Sequence, residues 1–173
     1  MAKRVLMVVI AATAISIPAV AGAAGSKQKH KGKAHPISGQ VNTANINPPG
    51  AINVTGSQTF AGTVDGKVSG KRVIGAIRGR NTYKIVGAGA TFTGTLTDFG
   101  PEGSWTAKTT GKGVLNSSGG TSFTGSGTIV SGAGIYKGAK GSFTFKGSNP
   151  AKDADGDNDA VIGSFTTTGT VTY

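Results

Sequence analysis

The sequence predicts an all-β protein built as a single antiparallel β-barrel of about eight strands. Three observations carry this. An aromatic-x-glycine phrase recurs as Phe60-Ala61-Gly62, Phe92-Thr93-Gly94, Phe123-Thr124-Gly125 and Phe145-Lys146-Gly147. In a strand, the ring and the glycine two residues on share one face, and the threonine or lysine between them takes the other. Outside the first twenty-odd residues, no segment shows a helical apolar period. Finally, the chain has 30 glycines and no cysteine, so a fold must come from packing and backbone pairing without disulfides.

The same alternation suits a β-sandwich, but inward glycines beside inward rings let strands coil tightly, which favours a small closed barrel. A solenoid is excluded because the phrase recurs at 60, 92, 123 and 145, too unevenly for a repeat array. Strands are expected at 58–65, 68–78, 82–86, 90–99, 104–115, 121–130, 141–148 and 160–173. Asp65-Gly66 reads as a two-residue hairpin, Gly100-Pro101-Glu102-Gly103 as a turn with proline at its first corner, and residues 116–120 as another.

The barrel domain is assigned to 57–173. Before it, residues 1–21 read as a secretory signal: Lys3 and Arg4 precede an apolar run too short for a membrane span, and Ala19-Val20-Ala21 forms a small-x-small cleavage site. Cleavage as late as residue 24 fits equally. A secreted protein with no mature transmembrane segment is expected. Residues 22–36 read as a disordered basic arm, and 37–56, broken by Pro48-Pro49-Gly50, as an irregular lead-in or strap. The net charge is +11; losing Lys3 and Arg4 leaves 16 basic against 7 acidic residues, or +9. Lys27, Lys29, Lys31 and Lys33 make the arm a candidate contact for an anionic cell-surface polymer, or a solvated spacer.

The acidic run Asp153, Asp155, Asp157 and Asp159, bent at Gly156, places carboxylates at alternate positions, as a Ca2+ loop does. Asn158 replaces the glycine and Ser164 the final glutamate of an EF-hand loop, so a solvated hairpin loop is the other reading; no other cofactor is implied. Lys71, Arg72, Arg78 and Arg80, with Tyr83 nearby, form the densest basic patch of the folded region, readable as an oligonucleotide or glycan contact or as outward charge that serves solubility and edge protection, without a signal for specific nucleic-acid binding. Asn53 and Asn116 begin glycosylation acceptor patterns. Serine, cysteine and zinc hydrolases are disfavoured: there is no cysteine, and both histidines, His30 and His35, precede the expected domain.

The stretch Ile129-Val130-Ser131-Gly132-Ala133-Gly134-Ile135-Tyr136-Lys137-Gly138-Ala139-Lys140-Gly141 resembles a glycine-rich signature of the allene oxide cyclase and dirigent-like barrel superfamily. Ser131 and Ala133 stand where that signature has glycine and threonine. The closing stretch from Asp159 to Tyr173 is similar to the family's last strand, and the Gly/Thr-rich composition is similar to its small secreted bacterial members. The resemblance implies an eight-stranded barrel with a cavity or packed core, often oligomeric, and a cyclase or dirigent activity on apolar small molecules. No catalytic residue of the family maps onto this chain.

These readings lead to a non-catalytic binding or cell-surface module, with two alternatives. One is a cyclase-, isomerase- or dirigent-like enzyme holding a small apolar ligand in a cavity lined by Phe60, Phe92, Trp105, Phe123 and Tyr136; the other is a polyanion adhesin acting through the arm. Homo-oligomerisation is compatible with all three.

Overall fold

The computed structural model describes residues 32–45, 55–115, 120–150 and 162–173. Among the described residues there are eight strands and no helix: β1 (Ala34–Asn45), β2 (Thr55–Val68), β3 (Lys71–Val86), β4 (Gly89–Gly100), β5 (Gly103–Leu115), β6 (Thr121–Gly134), β7 (Lys140–Asn149) and β8 (Ile162–Thr172). Each pairs antiparallel with the next, and β1 pairs with β8, so the sheet closes in an up-and-down barrel. Closure leaves no free edge.

The number of strands agrees with the sequence reading for a different reason. Segments 68–78 and 82–86 are one continuous strand, β3, while residues 34–45, assigned to the arm and lead-in, form β1. Ile37 and Val41 face the core on either side of Gly39, and Ser38, Gln40 and Asn42 are exposed. Only two large apolar residues are needed here because β1 gains ladders on both sides.

The hairpin expected at Asp65-Gly66 lies at Ser69-Gly70. These residues have φ of 52° and 81°, the positive pair that a tight two-residue connection requires. Asp65 stays within β2, where Arg72 of β3 donates to its carboxylate from Nε at 2.9 Å and from Nη2 at 2.6 Å. The Pro101-Glu102 turn falls where expected, between β4 and β5.

Inside, the repeated phrase becomes a pattern of rings set against glycines. Phe60 is registered with Gly79, Phe92 with Gly111, Phe145 with Gly125, and Phe143 with both Gly127 and Gly169. A Cβ added at Gly79, Gly111, Gly125 or Gly127 would collide with the ring opposite. Each glycine thus vacates the volume its cross-strand neighbour fills, and close packing is reached with few large side chains. Most outward positions carry threonine, serine, lysine and arginine, with Ile74, Val86, Phe99 and Val114 as exposed apolar side chains among them.

Candidate functional site

Phe60 and Tyr136 are buried, and Phe92, Trp105 and Phe123 are partly buried against the core. Of the five, Phe92 and Phe123 are brought into ring contact, whereas Trp105 and Tyr136 meet other rings. Phe92 and Phe123 meet at 6.4 Å between ring centroids and continue through Phe145 and Phe165, with centroid separations of 5.9–6.4 Å. Trp105 packs edge-on against Phe143 at 5.5 Å. Phe143 joins that contact to Phe145 at 6.2 Å, so rings follow one another through the interior. Such offset and edge-on contacts favour a packed core.

Tyr136 lies at the end of the barrel occupied by the β2–β3 and β4–β5 turns. Its position follows from a bulge in β6: Thr106 faces Ser131 and Ala107 faces Ile129, leaving Val130 as the additional residue. The bulge shifts side-chain parity, so Ile129 points inward before it and Gly132, opposite Trp105, after it. Lys140 Nζ donates to the Val130 carbonyl at 2.7 Å. Gly134 and Gly138, with φ of 65° and 82°, then reverse the chain. Ile135 N–H donates to the Glu102 carbonyl at 3.1 Å, tying this turn to the β4–β5 turn. Tyr136 is folded back over Gly132, where a Cβ would strike the Tyr136 backbone. Its ring meets Tyr173 edge-on at 4.9 Å, and Tyr173 stacks on His35 at 4.6 Å.

Asp98, to which no motif assigns a role, belongs to this end. It follows Phe92, Gly94 and Leu96 in inward parity on β4 and is registered with Ile77 and Trp105. It has no hydrogen bond or ion pair to a described residue. Burial pushes its carboxyl up to about 6, because removal from water penalises the charged form. The Tyr136 phenol is also raised, first by burial and then by Tyr173, Glu102 and Asp98. The Asp98 carboxyl thus lies within electrostatic reach of the Tyr136 phenol at this end of the barrel. The alternation along β4 was the available signal: an acidic residue on the apolar face.

The polar candidates separate. Arg72 is engaged by Asp65, Arg78 lies 5.5 Å from the centroid of the Phe99 ring, and Arg80 is exposed on β3. Lys33 is exposed, whereas Lys27, Lys29 and Lys31 lie outside the described residues, as do Asp153, Asp155, Asp157 and Asp159. Two open depressions lie on the barrel wall, one of about 540 Å³ bordered by Lys84 and Lys112, the other of about 620 Å³ bordered by Lys112 and Lys146.

No protein-family model matches this chain, and no curated protein matches it. Among solved structures, a pterocarpan synthase dirigent protein is similar with a TM-score of 0.44 and 13% sequence identity, covering 87% of this chain and 99% of that one.

Proposed function

We propose that this protein is a secreted, non-catalytic binding or surface-associated module that meets its partners with the outer wall of the barrel. The observation that carries the reading is the ring-to-ring packing from Phe92 through Phe145 to Phe143 and Trp105, which uses the interior for stability. The signal-like residues 1–21 support export. The test is titration of the full chain with a long-chain fatty acid and with a hydrophobic dye, following Trp105 emission. The expected result is no saturable change; one-to-one binding that shifts Trp105 emission would sink the reading.

A second reading, an enzyme acting on an apolar small molecule at the turn end, is supported by the inward-facing Asp98, whose carboxyl is raised by burial to about 6 and acts electrostatically on the Tyr136 phenol. It requires that such a molecule bind, and that Asp98→Asn abolish turnover while leaving binding intact.

A further inference from the structure

We propose that the outer face of β3–β7 is a docking surface for an acidic polysaccharide, with Lys84, Lys112 and Lys146 as its regularly spaced anion contacts. This deepens, and rests on, the reading of the protein as a binding module.

The ladder register makes the surface periodic. Lys84 on β3 is level with Thr91 on β4, Lys112 on β5, Thr124 on β6 and Lys146 on β7. Lysine positions therefore recur on every second strand, roughly 10 Å apart along the backbone sheet, with a hydroxyl position between, and their side chains fan outward around the closed barrel. Two residues along, a row of hydroxyls crosses the same strands: Thr82, Thr93, Thr110 and Ser126. Beyond it, Arg80 and Lys108 flank Thr95, roughly 13 Å from the first row. All these side chains are exposed.

The charge on this face has no internal counterpart among the described residues. Their acidic groups are Asp65, engaged by Arg72; Asp98, turned inward; and Glu102, at the turn end. Arg80, Lys84, Lys108, Lys112 and Lys146 make no ion pair or hydrogen bond there. Like charges held in an array without a partner raise the local concentration of a polyanion. The wall also carries recesses: one open depression extends from Thr55 of β2 across β3–β6, the other from β5 across β7 to β8 and Gln40 of β1, and the two share Lys112 and Thr124.

The surroundings select the class of polyanion. A nucleic-acid surface adds exposed aromatic rings on which bases stack. Within this strip Phe92 and Tyr83 are half-buried, and the exposed Phe99 lies elsewhere, near Arg78. Rows of threonine and serine hydroxyls instead donate to and accept from sugar hydroxyls, while lysines at intervals meet carboxylates that recur along a uronate chain.

The test uses the full chain, with immobilised polygalacturonate as probe and neutral dextran and oligothymidylate as comparisons, across a salt series. The expected result is salt-sensitive binding to polygalacturonate, none to dextran and weaker binding to oligothymidylate. Replacing Lys84, Lys112 and Lys146 together by glutamine should weaken binding by about tenfold or more and flatten its salt dependence, since fewer counterions are released. Replacing Lys67, Lys71 and Lys137, which lie outside the strip, should change it less than about threefold. Matching denaturation curves establish that each variant folds. The proposal is overturned if the strip variant binds as the parent does while an arm variant with Lys27, Lys29, Lys31 and Lys33 replaced by glutamine does not. Absence of polygalacturonate binding, or tighter binding to oligothymidylate, also overturns it. None of these outcomes bears on whether the interior admits a ligand, which is judged separately by the fatty-acid and dye titration.

Discussion

Phe143 projects its ring across the β6–β7 ladder onto Gly127, so closely that a Cβ at Gly127 would collide with three ring atoms. The absent methyl is thus part of the core's shape. Gly127→Ala is expected to destabilise the barrel by about 1–3 kcal/mol, the range for overpacking. Phe143→Leu should cost stability on its own, yet the double variant should lose less than the two separate losses combined, because the smaller side chain leaves room for the methyl. Urea denaturation of the four proteins checks this; strictly additive losses would contradict the pairing.

Tyr136 closes the turn end by burial and not through its hydroxyl, for which no hydrogen bond to a described residue is found. Truncation to alanine should cost about 3–5 kcal/mol, as for other buried aromatic residues. Tyr136→Phe keeps the ring against Gly132 and Tyr173 and should stay within about 1 kcal/mol of the parent. Thermal unfolding distinguishes them: equal losses would assign the work to the hydroxyl.

Strand β1 completes the barrel by pairing with both β2 and β8, which makes residues 34–45 indispensable. A chain beginning at Lys33 should retain one cooperative unfolding transition. A chain beginning at Ser57 lacks β1 and exposes two long unpaired strand edges, so it should lose that transition and aggregate. Circular dichroism and size-exclusion chromatography of the two fragments decide the matter. A cooperative, monomeric shorter fragment would show β1 to be dispensable.

The barrel itself was legible because the phrase at Phe60, Phe92, Phe123 and Phe145 encodes strand parity directly, and because Tyr136 sits in a glycine-punctuated turn. β1 was not, since Ile37 and Val41 are sparse and their burial depends on two partner strands distant in sequence. Asp65-Gly66 misled because local turn preference competes with register. A turn there would remove Gly66 and Val68 from the inward parity of β2, and burial of the whole strand prevails. Asp98 was visible as an acidic residue on an apolar face, but its raised pKa depends on what the fold packs around it. The strip Lys84-Lys112-Lys146 likewise required the register, because no local spacing reveals that three lysines on alternate strands share one level.

Asp98 gives the clearest pH signature. Its folded-state carboxyl, about 6, exceeds the ordinary 3.8, so between these values the folded protein binds the proton more tightly than the unfolded chain does. Stability therefore falls as pH rises through that window, by up to about 3 kcal/mol. Asp65 has the opposite tendency, because Arg72 lowers its pKa, and its contribution is lost only as pH falls toward the ordinary carboxylate range or below. Comparing Asp98→Asn with the parent cancels that background. The variant should match the parent near pH 4 and exceed it in stability above pH 6, as read from urea denaturation at several pH values. A difference between the two proteins that does not change with pH would mean that the Asp98 carboxyl is solvated like any surface acid.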